Sequence, residues 1–281
     1  SQRPAARARL RGRRSAGALA LCALPVALGF VIPVLLLLRL LGPAWQAVDW
    51  ARYARWLANT LSIGVAAALV ALVVVLSLAY AARSTTRGAP NTLVRSAVRL
   101  MSRGYAVPGA VIAVGLLVPL ADFDNRLDQV MRSALGVSTG LLLTGSVFAL
   151  LYGYLVRYFA VAYQTVEAGL ARITPAMDAS ARSLGSTPFD TFIRVHLPIL
   201  RPSVLAACLL VFVDVMKELP ATLVLRPFNF DTLAVIAYQM ASDERLGQAA
   251  LPALTIVAAG VIPVTLLSRA ISRASESGSH A

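Results

Sequence analysis

Long apolar runs separated by short clusters of charge dominate the pattern of this 281-residue chain. A helix needs about 20 apolar residues to cross a bilayer. Solid apolar runs, rather than strict alternation, favour spanning helices over a membrane β-barrel. Five windows without charge are long enough to span, and a sixth apolar window carries charges inside it. The six predicted transmembrane spans are residues 16–38, 56–82, 104–121, 133–156, 202–225 and 246–268.

The composition agrees with an all-α polytopic membrane protein. Apolar residues make up 58% of the chain and charged residues only 14%. A typical soluble domain has roughly 25% charged residues. These values argue against a soluble enzyme, and so much apolar surface also argues against a disordered chain.

The charges predict an orientation. The chain has 26 basic and 13 acidic side chains, and cytoplasmic loops of membrane proteins are rich in Lys and Arg. With the N-terminus inside, the predicted inside segments are 1–15, 83–103, 157–201 and 269–281, and they contain 18 arginines and four acids. We therefore expect both termini in the cytoplasm, and the net charge of +13 needs no nucleic-acid partner.

Three parts follow from this topology: a basic cytoplasmic segment 1–15, a six-span domain 16–273, and a cytoplasmic tail 274–281. The first apolar run exceeds the roughly 7–15 residues of a signal peptide, and no clear cleavage pattern follows it. We expect it to be a retained span rather than a cleaved signal. Because the chain starts with Ser1, it is expected to be a processed product or one part of a longer polypeptide.

The predicted inside loop 157–201 contains signals for two helices. Thr174 followed by proline predicts a capped helix start, and Gly185 predicts a left-handed end after a helix over 175–184. Ser-Thr-Pro then predicts a second helix over 188–195, which the following Leu-Pro pair is expected to close. From the pattern alone, this helix pair is either an interfacial connector or a rigid feature that a cytoplasmic partner grips.

The same loop resembles the conserved loop of binding-protein-dependent ABC importer permeases. The family pattern is Glu-Ala-Ala, three residues, Gly, nine residues, then Ile, any residue, Leu-Pro. Val195 stands for the family's Ile, and Ala179 occupies the position of its Glu. The residues that carry the resemblance are Asp178, Ala179, Ser180, Ala181, Arg182, Gly185, Leu197 and Pro198. The resemblance implies a coupling helix that docks into a groove of a cytoplasmic ATPase dimer.

Charges also lie inside the fifth predicted span. Asp214, Lys217 and Glu218 have i, i+3, i+4 spacing and share one face of a helix. Asp214 is expected near mid-depth, where charges are costly and usually pair or face a wet cavity, and Lys217 is expected to bridge both acids. The three side chains either line a translocation pathway or form a neutral structural triad. Alternatively, the helix simply ends near Pro220 at the outer interface.

The run 217–234 and its continuation over 241–254 look like the C-terminal half of ferric-iron ABC importer permeases. This resemblance implies the type I (MetI-like) permease architecture in a bacterial inner membrane. It also implies a second permease half, which is linked or separate, and iron(III) delivered by a periplasmic or extracellular binding protein. A permease for another small solute, such as a phosphonate, thiamine or a sulfate-like anion, remains an alternative.

We expect no enzymatic activity in this chain. Lys217 is its only lysine, so the Gly-Lys-Ser/Thr loop that cradles ATP is missing, and ATP and Mg²⁺ are expected on the partner ATPase. Two histidines, His196 and His280, are too few for a metal cluster. We predict no catalytic, cofactor-binding or metal site. The remaining rival class is an ion-coupled secondary transporter with Asp214, Lys217 and Glu218 as its relay.

Overall fold

The computed structural model describes residues 12–84 and 92–277, with side chains for all of these except 82–84, 92–95, 262, 264 and 266–277. Much of the predicted basic segment 1–15 and half of the predicted tail 274–281 lie outside the described residues. In the described part the chain forms helices and no strand. The helices are α1 Arg13–Val26, α2 Ile32–Ala44, α3 Trp50–Ser84, α4 Thr92–Met101, α5 Gly109–Leu135, α6 Val147–Leu170, α7 Pro175–Ser183, α8 Pro188–Thr191, α9 Leu197–Met216, α10 Pro220–Leu225, α11 Leu233–Ser242 and α12 Leu246–Ser277.

Three helical stretches of the described chain are long and apolar enough to cross a membrane: Arg13–Ala47, Trp50–Ala81 and Pro188–Met216. They correspond to the first, second and fifth predicted spans. Helix α5 carries five charged residues, α6 mixes its apolar residues with Arg157, Gln164 and Glu167, and the apolar part of α12 is shorter. The polytopic helical class is therefore confirmed, while the count of six spans stays a prediction.

Helices α3, α6 and α9 form the packed core. Their contacts rely on small residues, such as the fully buried Ala68, Ala162 and Ala207, which allow helices in a membrane to approach closely. At Gly169 of α6, an added Cβ would lie 2.4 Å from the Ser203 hydroxyl of α9. In contrast, α1 and α2 bury no residue, as expected of helices that face lipid.

The predicted span 133–156 is wrong. Helix α5 ends at Leu135, Gly136 adopts the left-handed conformation with φ of 67°, and α6 begins only at Val147. Helix α6 then continues through Arg157, a residue that the charge pattern assigned to a loop. The part of the predicted loop 157–201 that connects the long helices is therefore 171–187.

Two carboxylates of α5 hold the connection between α5 and α6. The buried Asp124 accepts hydrogen bonds from the backbone N–H groups of Leu143, at 3.0 Å, and Thr144, at 2.8 Å. Asp128 accepts from the N–H of Gly140 at 3.0 Å. This hydrogen bond, together with others from the same connection, lowers the pKa of Asp128 to about 2. The search for windows without charge missed this loop because Asp124 and Asp128, which hold it, lie outside the window 133–156.

The predicted helix stop at Leu197–Pro198 is also wrong. A five-residue π turn, Phe192–His196, joins α8 to α9, so the helical path runs without interruption from Pro188 to Met216. Proline lacks an N–H donor and is tolerated in the first helical turn. Pro198 lies in the first turn of α9, where it follows the π turn instead of ending the helix.

The predicted span 202–225 is interrupted. Helix α9 ends at Met216, and α10 starts at Pro220, which occupies a first-turn position. Asp214 therefore lies in the last turn of α9 rather than near the middle of a span.

The bundle has two distinct ends. At the α7 end, the ring of Tyr80 lies 4.9 Å from that of Phe192. At the opposite end, the Thr60 hydroxyl accepts a hydrogen bond from the N–H of Leu233 at 2.8 Å. Because α3 runs from one end to the other, the turn between α2 and α3 also lies opposite α7.

Candidate functional site

Helix α7 begins as the sequence predicts. Thr174 has extended backbone angles, and Pro175 occupies the first helical position. The predicted capping hydroxyl is wrong, because the Thr174 side chain makes no capping hydrogen bond.

The end of α7 is a Schellman turn. Gly185 has φ of +80°, and its N–H donates to the carbonyl of Arg182 at 2.9 Å. The N–H of Ser186 donates to the carbonyl of Ala181 at 3.1 Å. These two bonds satisfy carbonyls that a helix end leaves free, and glycine adopts the left-handed conformation without a Cβ penalty. The predicted left-handed glycine is confirmed.

Thr187 then starts α8. Its side chain accepts a hydrogen bond from the N–H of Asp190 at 3.1 Å and donates to the Asp190 carboxylate at 2.6 Å. The predicted helix restart at this point is confirmed. We call residues 174–191 the knuckle.

The tip of the knuckle is apolar and exposed. Leu184 is 85% exposed and Phe189 is 67% exposed. A Cβ at Gly185 would meet no atom within 4 Å. Of the motif residues, Ala179, Ser180, Arg182, Gly185 and Pro198 are exposed, Asp178 and Leu197 are partly buried, and Ala181 is buried. The knuckle therefore offers an apolar tip with open space around its glycine.

A contact between Asp178 and His196 joins the knuckle to the π turn. The Asp178 Oδ1 lies 2.7 Å from His196 Nε2, and His196 is only 4% exposed. Because the family's Glu is replaced by Ala179, Asp178 is the acid on this part of α7. Its carboxylate faces the chain's own histidine, which fixes α7 against the beginning of α9.

A second polar cluster surrounds the break between α9 and α10. Glu218 is 6% exposed, and its Oε2 forms an ion pair with the Nε of Arg157 at 3.0 Å. The Tyr158 hydroxyl donates to its carboxylate at 2.5 Å. Arg157 also donates through Nη1 to the carbonyl of Val107 at 2.9 Å. We call Arg157, Tyr158 and Glu218 the buried lock.

The predicted bridging role of Lys217 is wrong. Its Nζ lies 2.9 Å from Asp214 Oδ1, while Glu218 takes Arg157 as its partner. The helix ends between the two acids, so the i, i+4 geometry that would have placed them on one face is lost. The Lys217 side chain is 62% exposed and that of Asp214 is 17% exposed.

Gly109 makes room for the buried lock. A Cβ on this first residue of α5 would lie 2.5 Å from Glu218 Oε1 and 3.2 Å from Arg157 Nη1. Sequence reasoning missed both Arg157 and Gly109. One signal was present: Arg157 lies in an apolar run rich in tyrosine, and a charge in such a run usually has a partner.

The buried lock is suited to holding structure rather than to catalysis. The Glu218 carboxylate is enclosed by the Arg157 guanidinium and the Tyr158 hydroxyl, and it accepts a hydrogen bond from the N–H of Ala221 at 3.2 Å. These contacts compensate a charge that would otherwise be costly to bury. Glu218 therefore fixes the break at 217–219 to α6, while the side chain of Lys217 pairs with Asp214 and stays exposed.

Two sequence relatives are transport permeases. The chain is 33% identical over 165 residues to "Fe(3+)-transport system permease protein FbpB 2" of Haemophilus influenzae, which covers 59% of this chain and 29% of the relative. It is 28% identical over 162 residues to the "putative 2-aminoethylphosphonate transport system permease protein PhnV" of Salmonella typhimurium, which covers 58% and 53%. The chain thus spans less than a third of the first relative and about half of the second.

The fold matches a solved transporter. A chain of a bacterial ABC transporter involved in the import of the acidic polysaccharide alginate superimposes with a TM-score of 0.65 at 13% identity. The match covers 92% of this chain and 95% of that one, so the two share the α-helical fold of ABC importer permeases. The family model for the binding-protein-dependent transport system inner membrane component matches residues 81–277. This family is a membrane component of transporters rather than an enzyme, and the chain belongs to it.

Proposed function

We propose that this chain forms part of the translocation pathway of an ATP-driven, binding-protein-dependent importer. It pairs with a second permease half, and a cytoplasmic ATPase dimer grips the knuckle. A substrate-binding protein delivers the cargo at the opposite end of the bundle. The N- and C-termini then lie in the cytoplasm, on the side of the knuckle.

The exposed apolar tip of the knuckle is the observation that carries this proposal. Leu184 and Phe189 project from a turn whose backbone is fixed by two hydrogen bonds. Exposed apolar residues on a rigid support are typical of protein contacts. The tip lies within the family motif, and the Asp178–His196 contact joins it to α9. Movement of an ATPase groove around the tip would thus be transmitted to α9.

For the pathway we propose Asp214 and Lys217. Their side chains form an ion pair at the end of α9 and remain accessible. Glu218 has a supporting role, because its carboxylate is enclosed by Arg157 and Tyr158. The buried lock would hold the break in place while the pair of Lys217 and the partly buried Asp214 meets the passing solute.

Iron(III) is the cargo that we favour. The relative with the higher identity is a permease named for Fe(3+) transport, and the resemblance over 217–254 points in the same direction. A phosphonate is the second candidate, because a relative named for 2-aminoethylphosphonate transport matches a similar share of this chain. In both cases we expect the binding protein to select the solute.

A reconstitution experiment tests the proposal. The chain is purified in detergent from its native membranes and placed in liposomes with ATP inside. We expect an ATPase and a second permease half to co-purify, and uptake of iron(III) from a loaded binding protein to require ATP. Uptake driven by an ion gradient without the ATPase would contradict the proposal and favour a secondary transporter. Uptake of a phosphonate but not of iron would keep the importer and change its cargo.

Leu184→Ser isolates the role of the knuckle. Because Leu184 is 85% exposed, we expect folding to be unchanged but ATPase co-purification to fall by roughly tenfold, as for an anchor residue of an interface. Leu205→Ser is the matched control, since Leu205 is also exposed but lies on α9. If the same amount of ATPase co-purifies with both variants, the knuckle is not part of the ATPase interface.

A further inference from the structure

A single arginine interrupts the apolar surface of α2. Helices α1 and α2 bury no residue, and Arg39 is exposed among leucines. A charged side chain in a lipid-facing helix is costly unless its guanidinium reaches a polar partner. Among the described residues, no carboxylate lies within ion-pair distance of Arg39. The helix therefore presents an uncompensated positive charge toward the membrane.

Arg39 lies in a groove between α2 and the start of α12. The groove has a volume of about 710 Å³. Its walls are Leu36, Leu40, Pro43, Ala44 and Gly247. A Cβ at Gly247 would lie 3.1 Å from both the Leu40 carbonyl and the Ala44 Cβ. Glycine at this position thus sets the close approach of the two helices along which the groove runs.

An aromatic cluster begins at Trp45, directly after the groove residue Ala44. The rings of Trp45 and Trp50 are 4.9 Å apart and edge to face, and Tyr53 lies 6.0 Å from Trp50. Trp and Tyr are enriched at the level of lipid headgroups. Arg39 precedes Trp45 by six residues, which is about 9 Å along a helix. A long arginine side chain spans much of this depth, so its guanidinium is within reach of the headgroup layer.

The charged residues near the groove do not neutralise Arg39. Arg52, on the neighbouring start of α3, already pairs with Asp49 at 3.1 Å. Arg245 donates to the neutral side chain of Gln248. Arginine recognises phosphate oxygens through paired hydrogen bonds, and the leucines of the groove provide an apolar wall suited to a hydrocarbon chain.

We propose that this groove is a binding site for the phosphate of a phospholipid in the leaflet opposite α7. Arg39 binds the phosphate, and Leu36 and Leu40 contact the first part of an acyl chain. A phospholipid is favoured over a soluble anion because the groove opens on helices that bury nothing and combines charge with an apolar wall. This site is independent of the cargo and of the ATPase.

Lipid retention measured by native mass spectrometry tests the site. The full chain is purified in detergent, incubated with phosphatidylglycerol, and compared with Arg39→Gln and with Arg126→Gln. Arg126 is the matched control, because it is an exposed arginine of α5 whose charge is already paired with Asp122. We expect Arg39→Gln to lower phosphatidylglycerol occupancy by about fivefold or more, as for the loss of a charge-assisted contact, and Arg126→Gln to leave it unchanged.

The unaltered chain supplies a test that does not depend on a variant. A phosphate-free diacylglycerol with the same acyl chains is expected to bind at least about fivefold more weakly than phosphatidylglycerol. Equal binding of the two lipids, or equal retention by both variants, would overturn the proposal. Displacement of the lipid by millimolar inorganic phosphate would also overturn it, because the site would then belong to a soluble anion. Self-association that disappears in Arg39→Gln without any change in lipid occupancy would assign the groove to a second copy of the chain.

Discussion

The knuckle and the buried lock both interrupt the apolar helices of the chain. They differ in whether their side chains find contact partners within the chain. In the buried lock, Glu218 is 6% exposed and is surrounded by partners from α6 and α10. In the knuckle, Leu184 is 85% exposed and Gly185 faces open space. The charges of the buried lock have their partners within the chain, whereas the described residues leave the apolar tip of the knuckle uncovered.

This difference separates stability from coupling. Changes in the buried lock are expected to lower the stability of the folded chain, because its charges depend on one another. Changes in the knuckle are expected to leave the chain folded and to interrupt contact with a partner. The following four variants test this separation, ordered by their expected effect on the free energy of unfolding.

The largest expected loss follows Glu218→Ala. Removal of this carboxylate leaves Arg157 with an uncompensated charge between α5 and α6, and breaking a buried ion pair costs about 3–5 kcal/mol. Thermal unfolding in detergent measures the loss, and Glu167→Ala, which removes an exposed acid of α6, is the control. The double variant Arg157→Leu and Glu218→Leu leaves no unpaired buried charge. It is expected to recover part of the stability that Glu218→Ala loses. Equal midpoints for Glu218→Ala and Glu167→Ala would show that the lock does not stabilise the fold.

A smaller loss is expected from Gly109→Ala. The new Cβ would lie 2.5 Å from Glu218 Oε1, so the carboxylate must shift away from its partners, at a cost of about 1–3 kcal/mol. Gly115→Ala in the same helix meets no atom within 4 Å and serves as the control. If both variants unfold at the same temperature, the close approach at Gly109 has no energetic importance.

Gly185→Val is expected to cost about 1–2 kcal/mol, because a branched residue is strained in the left-handed conformation. Gly136→Val is a matched control with φ of +67° and equally open surroundings. We expect both variants to lose similar stability but only Gly185→Val to lose ATP-dependent uptake. Normal substrate-stimulated ATPase activity in Gly185→Val would argue against a coupling role for the knuckle.

The smallest stability effect is expected from Lys217→Gln. Its ion pair with Asp214 is on the surface, and such pairs contribute about 0–1 kcal/mol. If the pair lines the pathway, uptake should fall several-fold although unfolding is nearly unchanged. Arg226→Gln is a comparison at another ion pair, which follows α10. Unchanged uptake would restrict Lys217 to a packing role.

The sequence predicted features that depend on neighbouring residues. Thr187 followed by Pro188 marks a helix start, and Gly185 marks a helix end, because capping involves residues only a few positions apart. The apolar runs identified the membrane class for a similar reason. These local signals were sufficient for the fold class and for the helix end and restart of the knuckle, although the predicted Thr174 cap was wrong.

Contacts between distant residues could not be read from the pattern. Arg157 and Glu218 are 61 positions apart, and only the packing of α6 against the break brings them together. The window 133–156 failed for the same reason, because Asp124 and Asp128 organise a connection that lies beyond them in the chain. A charge count treated Arg157 as a loop residue, although its partner makes a buried position possible.

The π turn at Phe192–His196 has a geometric consequence for the whole protein. A π turn contains one residue more than an α-helical turn of the same length, and each residue of an α-helix corresponds to about 100° of rotation. Loss of one residue from 192–196 would restore a regular helix and swing α8 and the apolar tip about the axis of α9. Under the proposed function, the tip would then turn a different side toward the ATPase groove, even though every motif residue were still present. The direction in which the tip points about the axis of α9 therefore depends on the one additional residue of the π turn.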